Sequence, residues 1–218
     1  MKRRTLDILF SIGGLGIAGL LVVMGAVLTS NSNFSHRYVT DQLTQQQITF
    51  KAADKLTEEE RQSACLVENA GKLLTTGKQA ECYANEFIGL HVKNSGKGLT
   101  YSQWGDVQTQ LRAQIATAQQ NDDPNLPALQ KELADATATR ETVFKGETLR
   151  GVLLTSYGFS VLGEKGAQGA TVAYVAAALL TLLSIAGFVH ALVTPKTKAF
   201  AAPEAVATNG AAKVPTAA

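Results

Sequence analysis

Two long stretches without a charged residue limit what this chain can become. The first runs from Ile8 to Leu28, and the second runs from Ala170 to Val193 with Pro195 just beyond. A helix rises about 1.5 Å per residue, so roughly 20 apolar residues cross a hydrocarbon core of about 30 Å. Both runs reach that length, and the second suits a helix that crosses with some tilt. A cleaved signal peptide is the rival reading of the first run, which follows Lys2-Arg3-Arg4 and Asp7. Such a peptide has an apolar core of about 7–15 residues ending in a small-x-small site. This run is longer, and Val27-Leu28-Thr29-Ser30 is a poor cleavage site, so it reads as an uncleaved anchor. Gly13, Gly16 and Gly19 lie near one face with Leu20, where small residues permit close helix contact. With Gly25 they are equally explained by the tolerance of membrane helices for glycine.

Charge is segregated along the chain. It makes up 17% of the residues, below the roughly 25% usual for soluble domains, and it sits between and outside the two runs. The net charge is +2, and Lys and Arg of the middle region alternate with Asp and Glu. A nucleic-acid partner is therefore not expected, because that requires a concentrated basic face. Lys2, Arg3 and Arg4 precede the first run, and Lys196 and Lys198 follow the second. The positive-inside rule then puts both termini in the cytoplasm of a multi-pass protein of the cell membrane. The expected division is a cytoplasmic N-terminus and first transmembrane helix over 1–29 and an extracytoplasmic stalk and helical domain over 30–169. A second transmembrane helix over 170–194 and a disordered Ala-, Pro- and Thr-rich cytoplasmic tail over 195–218 complete it. His190, near the end of the second run, reads as a neutral interfacial histidine.

The two cysteines, Cys65 and Cys82, both fall in the middle region. Disulfides persist outside the cytoplasm, so a Cys65–Cys82 bridge agrees with that orientation. It stabilises by roughly 3 kcal/mol in the chain-entropy model. No C-x-x-C and no nearby histidine makes them a metal site.

The middle region reads as mainly α. Phe34 to Phe50 is a stalk that continues the first helix and turns extended at Ile48-Thr49-Phe50. Thr57-Glu58-Glu59-Glu60 is a capping box, predicting a helix to about Leu74 that Gly77 breaks. Its acidic cluster Glu58-Glu59-Glu60-Arg61 reads as a solvated helix start favoured by the dipole. A second helix over about 78–92 carries Tyr83, Phe87, Ile88 and His91 as a stripe. Thr100-Tyr101-Ser102-Gln103 is another capping box, and Trp104, Val107, Leu111 and Ile115 give the helix behind it one buried face. Asn121-Asp122-Asp123-Pro124 is a turn. Pro127 opens the next helix, with Leu129, Leu133, Ala136, Val143 and Phe144 inward, so that the two segments form an antiparallel hairpin. Gly151 to Gly163 is apolar yet too short to span. It lies at the membrane interface, belongs to the outer domain or re-enters the membrane, with Gly163, Gly166 and Gly169 as a flexible link to the second run.

Reaction chemistry is sparse. His36, His91 and His190 fall in the stalk, the middle region and the second run, so they do not supply the converging pair that a non-haem iron site needs. There is no Gly-x-Ser-x-Gly elbow, Walker A loop or dinucleotide fingerprint. Gly96-Lys97-Gly98 is a loop. No catalytic residue, metal ligand or cofactor is expected.

Three pieces carry a resemblance. They are Tyr38 through Phe50 (YVTDQLTQQQITF), Leu99-Thr100-Tyr101-Ser102, and Phe144 through Leu154 (FKGETLRGVLL). In these and in the order of its features the chain resembles a group of small two-span membrane proteins of actinobacteria. The resemblance implies such a host envelope. Some members carry the label aromatic ring-opening dioxygenase, whose metal ligands this sequence lacks.

The expectation is a non-enzymatic accessory or interaction subunit of a membrane or cell-envelope complex, in contact with the lipid bilayer and with other membrane proteins or itself. One alternative is an extracytoplasmic module in which the Tyr157/Phe159 segment holds a lipid or other apolar ligand. The other is a membrane-bound enzyme, which needs His91 in a pocket with Glu86 or Asp106.

Overall fold

The computed structural model describes residues 3–195. The positively charged flank residues Lys2, Lys196 and Lys198 lie outside them, as does all but Pro195 of the tail expected to be disordered over 195–218. The described chain is mainly α, with no strand among those residues. Two helices are long and apolar enough to cross a membrane: α1, Arg3–Gln45, and α6, Leu126–Val193. Between them come α2 (Ala64–Glu68), α3 (Gly77–Cys82), α4 (Gly89–Ser95) and α5 (Tyr101–Gln120). The chain divides into two compact units, residues 1–26 with 170–218 and residues 27–169.

In the first unit α1 and α6 meet along a seam of small side chains. Ser11, Ala18, Ala170, Ala173, Ala177, Ser184 and Ala191 are buried. Their spacing of three, four or seven residues is the repeat of helices packed knobs-into-holes. Large apolar residues point the other way: Phe10, Leu20, Val172 and Leu192 are all largely exposed. The predicted contact face is corrected here. A methyl group added at Gly13, Gly16 or Gly19 meets nothing within 4 Å, whereas one at Gly14 runs into Ser184 and one at Gly25 into the Tyr174 ring. The glycines that matter lie on the seam, because only there does a second helix approach.

The second unit has two cores. One joins Val39 and Leu43 of α1, Leu153 of α6 and the segment around the disulfide, with Phe50, Leu66, Leu74, Ala80 and Ile88 buried. Cys65 and Cys82 are bonded, with Cα atoms 6.1 Å apart. The other is the hairpin of α5 with the start of α6, built on Trp104, Leu111, Ala136 and Val143. Its capping box at Thr100 and Gln103 is formed, and the Trp104 indole donates to the Gly96 carbonyl at 2.9 Å. Phe144, predicted to face inward, is half exposed and sits against Tyr101 instead.

Two predicted elements differ. The helix expected from Thr57 to Leu74 is a 3-10 turn, Glu60–Gln62, and the five-residue α2. Residues 71–74 leave helical geometry because they pair with 48–51: Leu74 donates to Ile48 O at 2.8 Å, Phe50 to Lys72 O and Gly71 to Lys51 O. Gly77 does not end a helix but starts one, under a capping box of Thr76 and Gln79 that the sequence reading did not name. Its missing side chain leaves room for Ser160 of α6, which a methyl group there overlaps. Gly151–Gly163 is helical throughout, and so is the expected flexible link, since Gly163, Gly166 and Gly169 lie within α6. A methyl group added at Gly163 sits 3.0 Å from Ser35, and one at Gly169 sits 3.3 Å from Leu28.

Candidate functional site

The most chemically loaded cluster surrounds Glu60. The capping box predicted at Thr57 forms: the Thr57 amide donates to Glu60 Oε2 at 2.8 Å, and the Glu60 amide to Thr57 Oγ1 at 3.2 Å. The chain then turns as a 3-10 helix, which carries the carboxylate inward, so Glu60 is wholly buried rather than solvated. Lys51 Nζ donates to its Oε1 at 2.7 Å, and His91 Nε2 stands 3.6 Å from the same oxygen. Burial pushes the Glu60 carboxyl up, but the Lys51 hydrogen bond, the Thr57 amide and the charges of Lys51 and His91 outweigh it and hold the group below its ordinary value. Burial, and then the Glu60 charge, push the Tyr83 phenol up.

The histidine is positioned by a π-helical stretch, Tyr83–Ile88. Such a stretch adds a residue to the turn and often re-aims side chains. Here it stacks Tyr83 on Phe87 at 4.7 Å and Phe87 on His91 at 4.4 Å between ring centroids. The His91 Nδ1–H donates to the Phe87 carbonyl at 3.0 Å. In that orientation Nε2 carries a proton toward Glu60 only when the ring is cationic. Glu60 engages both its oxygens and is closed to solvent, so it holds Lys51 and stands against His91. The predicted partners of His91, Glu86 and Asp106, do not contact it through any hydrogen bond or ion pair among the described residues. No group of three His, Cys, Asp or Glu among those residues could hold a metal ion.

A second polar cluster surrounds Arg150, whose Nη2 donates to Asn85 Oδ1 at 3.2 Å and whose Nη1 lies 3.4 Å from Glu147. Its shallow cleft sets Lys93 and Arg150 against Glu59 and Glu86, so it favours neither sign of ligand.

The third place is apolar. Between α1 and α6 in the second unit lies a groove of about 360 Å³, within the usual range for a ligand pocket. Its floor is Val39, Leu43 and Leu153, all buried. Tyr38, Gln42 and Gln46 form one wall and Leu149, Val152, Ser156 and Phe159 the other. No acidic or basic side chain lines it. At one end Phe34, Tyr38 and Phe159 form a ring ladder, with centroids 5.8 and 6.4 Å apart. Tyr38, Leu149, Val152 and Phe159 of its lining, Phe34 beside Tyr38, and Leu162 three residues beyond Phe159 are each between 44% and 68% exposed, more exposed apolar surface than a solvated face usually carries. Of the two aromatic residues expected to hold an apolar ligand, only Phe159 lines the groove. Tyr157 turns to Lys78, whose Nζ is 5.6 Å from its ring. The groove was visible in outline as an excess of apolar residues over 149–162, more than one buried helix face needs.

In the first unit the second ionisable pair is Asp7 Oδ2 with His190 Nδ1 at 3.0 Å. His190 therefore has a partner on the other helix, which its reading as a lone interfacial residue missed. Comparison of the chain with protein-family models, with curated proteins and with solved structures returns no match.

Proposed function

We propose that this chain is a non-enzymatic accessory or interaction subunit of a membrane or cell-envelope complex. In this reading α1 and α6 cross the cell membrane, both termini are cytoplasmic, and 30–169 lies outside. The observation that carries it is the exposed, uncharged apolar face around the groove, since water does not favour leaving six large apolar side chains half open. The membrane placement is supported by the first unit, whose small residues face inward and whose large apolar residues face outward, the arrangement that close helix packing in lipid favours. The disulfide supports the outward placement of Cys65 and Cys82. The test is affinity purification of the full chain from membranes in mild detergent, followed by mass spectrometry. Stoichiometric recovery of another copy or another protein is expected, and a lone monomer from every detergent overturns the proposal.

A second reading, an extracytoplasmic module for a lipid or other apolar ligand, is favoured by the groove itself. A bilayer lipid carrying a photoreactive acyl chain labels Val152 and Phe159 if that reading holds, and labels only residues of the two spans if it fails.

A further inference from the structure

The same groove has the chemistry of a surface that fits its own copy, and we propose that a second copy of this chain docks there. This rests on the reading that the second unit works by contact, and it names the partner. Two-fold association brings each group near the axis against its own duplicate. A charged group so placed meets a like charge, which disfavours the contact. The groove has no charged lining residue, although the chain as a whole has 20 Lys and Arg and 18 Asp and Glu.

The polar residues present suit a symmetric contact as well. Gln42 and Gln46 lie one turn apart on one wall, and Ser156 is on the other. A primary amide carries both donors and an acceptor, so a glutamine pairs with its own duplicate across a two-fold axis, as a single buried asparagine does in a paired coil. Leu149, Val152, Ser156 and Phe159 recur at spacings of three, four and three. That spacing is the stripe by which one helix seats against another.

The size agrees. Aromatic side chains bury roughly 150–250 Å² when fully enclosed, so Phe34, Tyr38 and Phe159 at about half exposure present on the order of 300 Å². Leu149, Val152, Leu162 and the exposed Gln42 and Gln46 enlarge the face toward the roughly 800 Å² per partner of a standard interface.

The experiment uses the full chain in its own membranes. Both native cysteines are in the disulfide, so Gln42→Cys and Val152→Cys each add one reactive thiol. A short bismaleimide is expected to convert either variant to a species of twice the chain mass, and Thr109→Cys on α5 to give at least tenfold less. Adding Leu162→Glu to Gln42→Cys is expected to cut the yield at least tenfold, with electrophoresis without reductant showing that Cys65–Cys82 is still closed. Monomer only from both Gln42→Cys and Val152→Cys overturns the second copy as occupant. So does an adduct of any other mass, or labelling of Val152 by a photoreactive acyl chain in phosphatidylcholine and phosphatidylglycerol bilayers. An adduct with a different protein leaves the interaction reading standing while removing this one, and a lone monomer with nothing co-purifying removes both.

Discussion

The helices α1 and α6 pack together in each unit, and the two contacts are made of different materials. In the first unit the buried residues are Ser11, Ala18, Ala173, Ala177 and Ser184, and the large side chains Phe10, Leu20 and Leu192 face out. In the second unit the buried residues of α1 and α6 include the large Val39, Leu43 and Leu153 as well as Ser32, Ser35 and Ser160, and Phe34, Tyr38, Val152 and Phe159 stay half exposed. Both keep the same spacing of three and four. The helical repeat therefore sets where the contact runs, while the surroundings set which side chains fill it. Burying large apolar groups stabilises a unit when its outside is water. Close backbone approach is the main contribution when the outside offers no such gain.

The largest effect that can test this contrast is a cavity in the second unit. Leu74 is completely buried, so Leu74→Ala is expected to cost about 4 kcal/mol in denaturant unfolding. A cost below about 1 kcal/mol means that this core does not carry the unit. Next is the disulfide. Replacing Cys65 and Cys82 together with Ala is expected to cost about 3 kcal/mol, read as a lower thermal midpoint of the detergent-solubilised protein. An unchanged midpoint removes the strap from the account.

A smaller effect separates the faces of α1 in the first unit. Gly14→Leu overpacks the seam at Ser184 and is expected to cost about 2 kcal/mol. Gly13→Leu, which faces open space, is expected to stay within about 0.5 kcal/mol. Equal costs at the two positions contradict the seam.

The smallest is a pH effect confined to the second unit. The Glu60 carboxyl is held below its ordinary value of 4.5 in the folded state, so the unfolded chain binds that proton more readily. The stability this gives is present above pH 4.5 and is lost as pH falls through the folded value. Glu60→Gln is expected to lower the thermal midpoint at pH 7 by the equivalent of about 1.5 kcal/mol, and the gap from the unaltered chain should narrow below pH 4.5. A gap that persists at pH 3 assigns the effect to shape and not to charge.

Local patterns in the residues carried a good part of this structure. The two uncharged runs became α1 and α6, the extended turn at Ile48-Thr49-Phe50 formed, and Thr100 with Gln103 capped α5. The helices and the Thr100 cap depend on neighbours within one turn, so they are legible from the chain alone, whereas the extended turn is held by pairing of 48–51 with 71–74. The Thr57 box was also legible, but its consequence was not. Its two hydrogen bonds formed, yet the helix behind it stopped because 71–74 found partners at 48–51.

Facing decisions were the other limit. The same sequence rule that marks glycine as a contact residue chose Gly13 and Gly16 where the fold uses Gly14 and Gly25, on a different face of the helix. Only the partner helix sets that angle. The burial of Glu60, the meeting of Asp7 with His190 and the groove between Tyr38 and Phe159 arise the same way, from residues brought together over 9, 183 and more than a hundred positions of chain. The sequence by itself determined that the chain is helical and doubly apolar, because those properties are local or compositional, and it offered Cys65 and Cys82 as a pair for the fold to bring together. Which faces meet, which carboxylate is enclosed and which apolar surface stays open were decided by tertiary packing, since each depends on the angle at which distant segments approach.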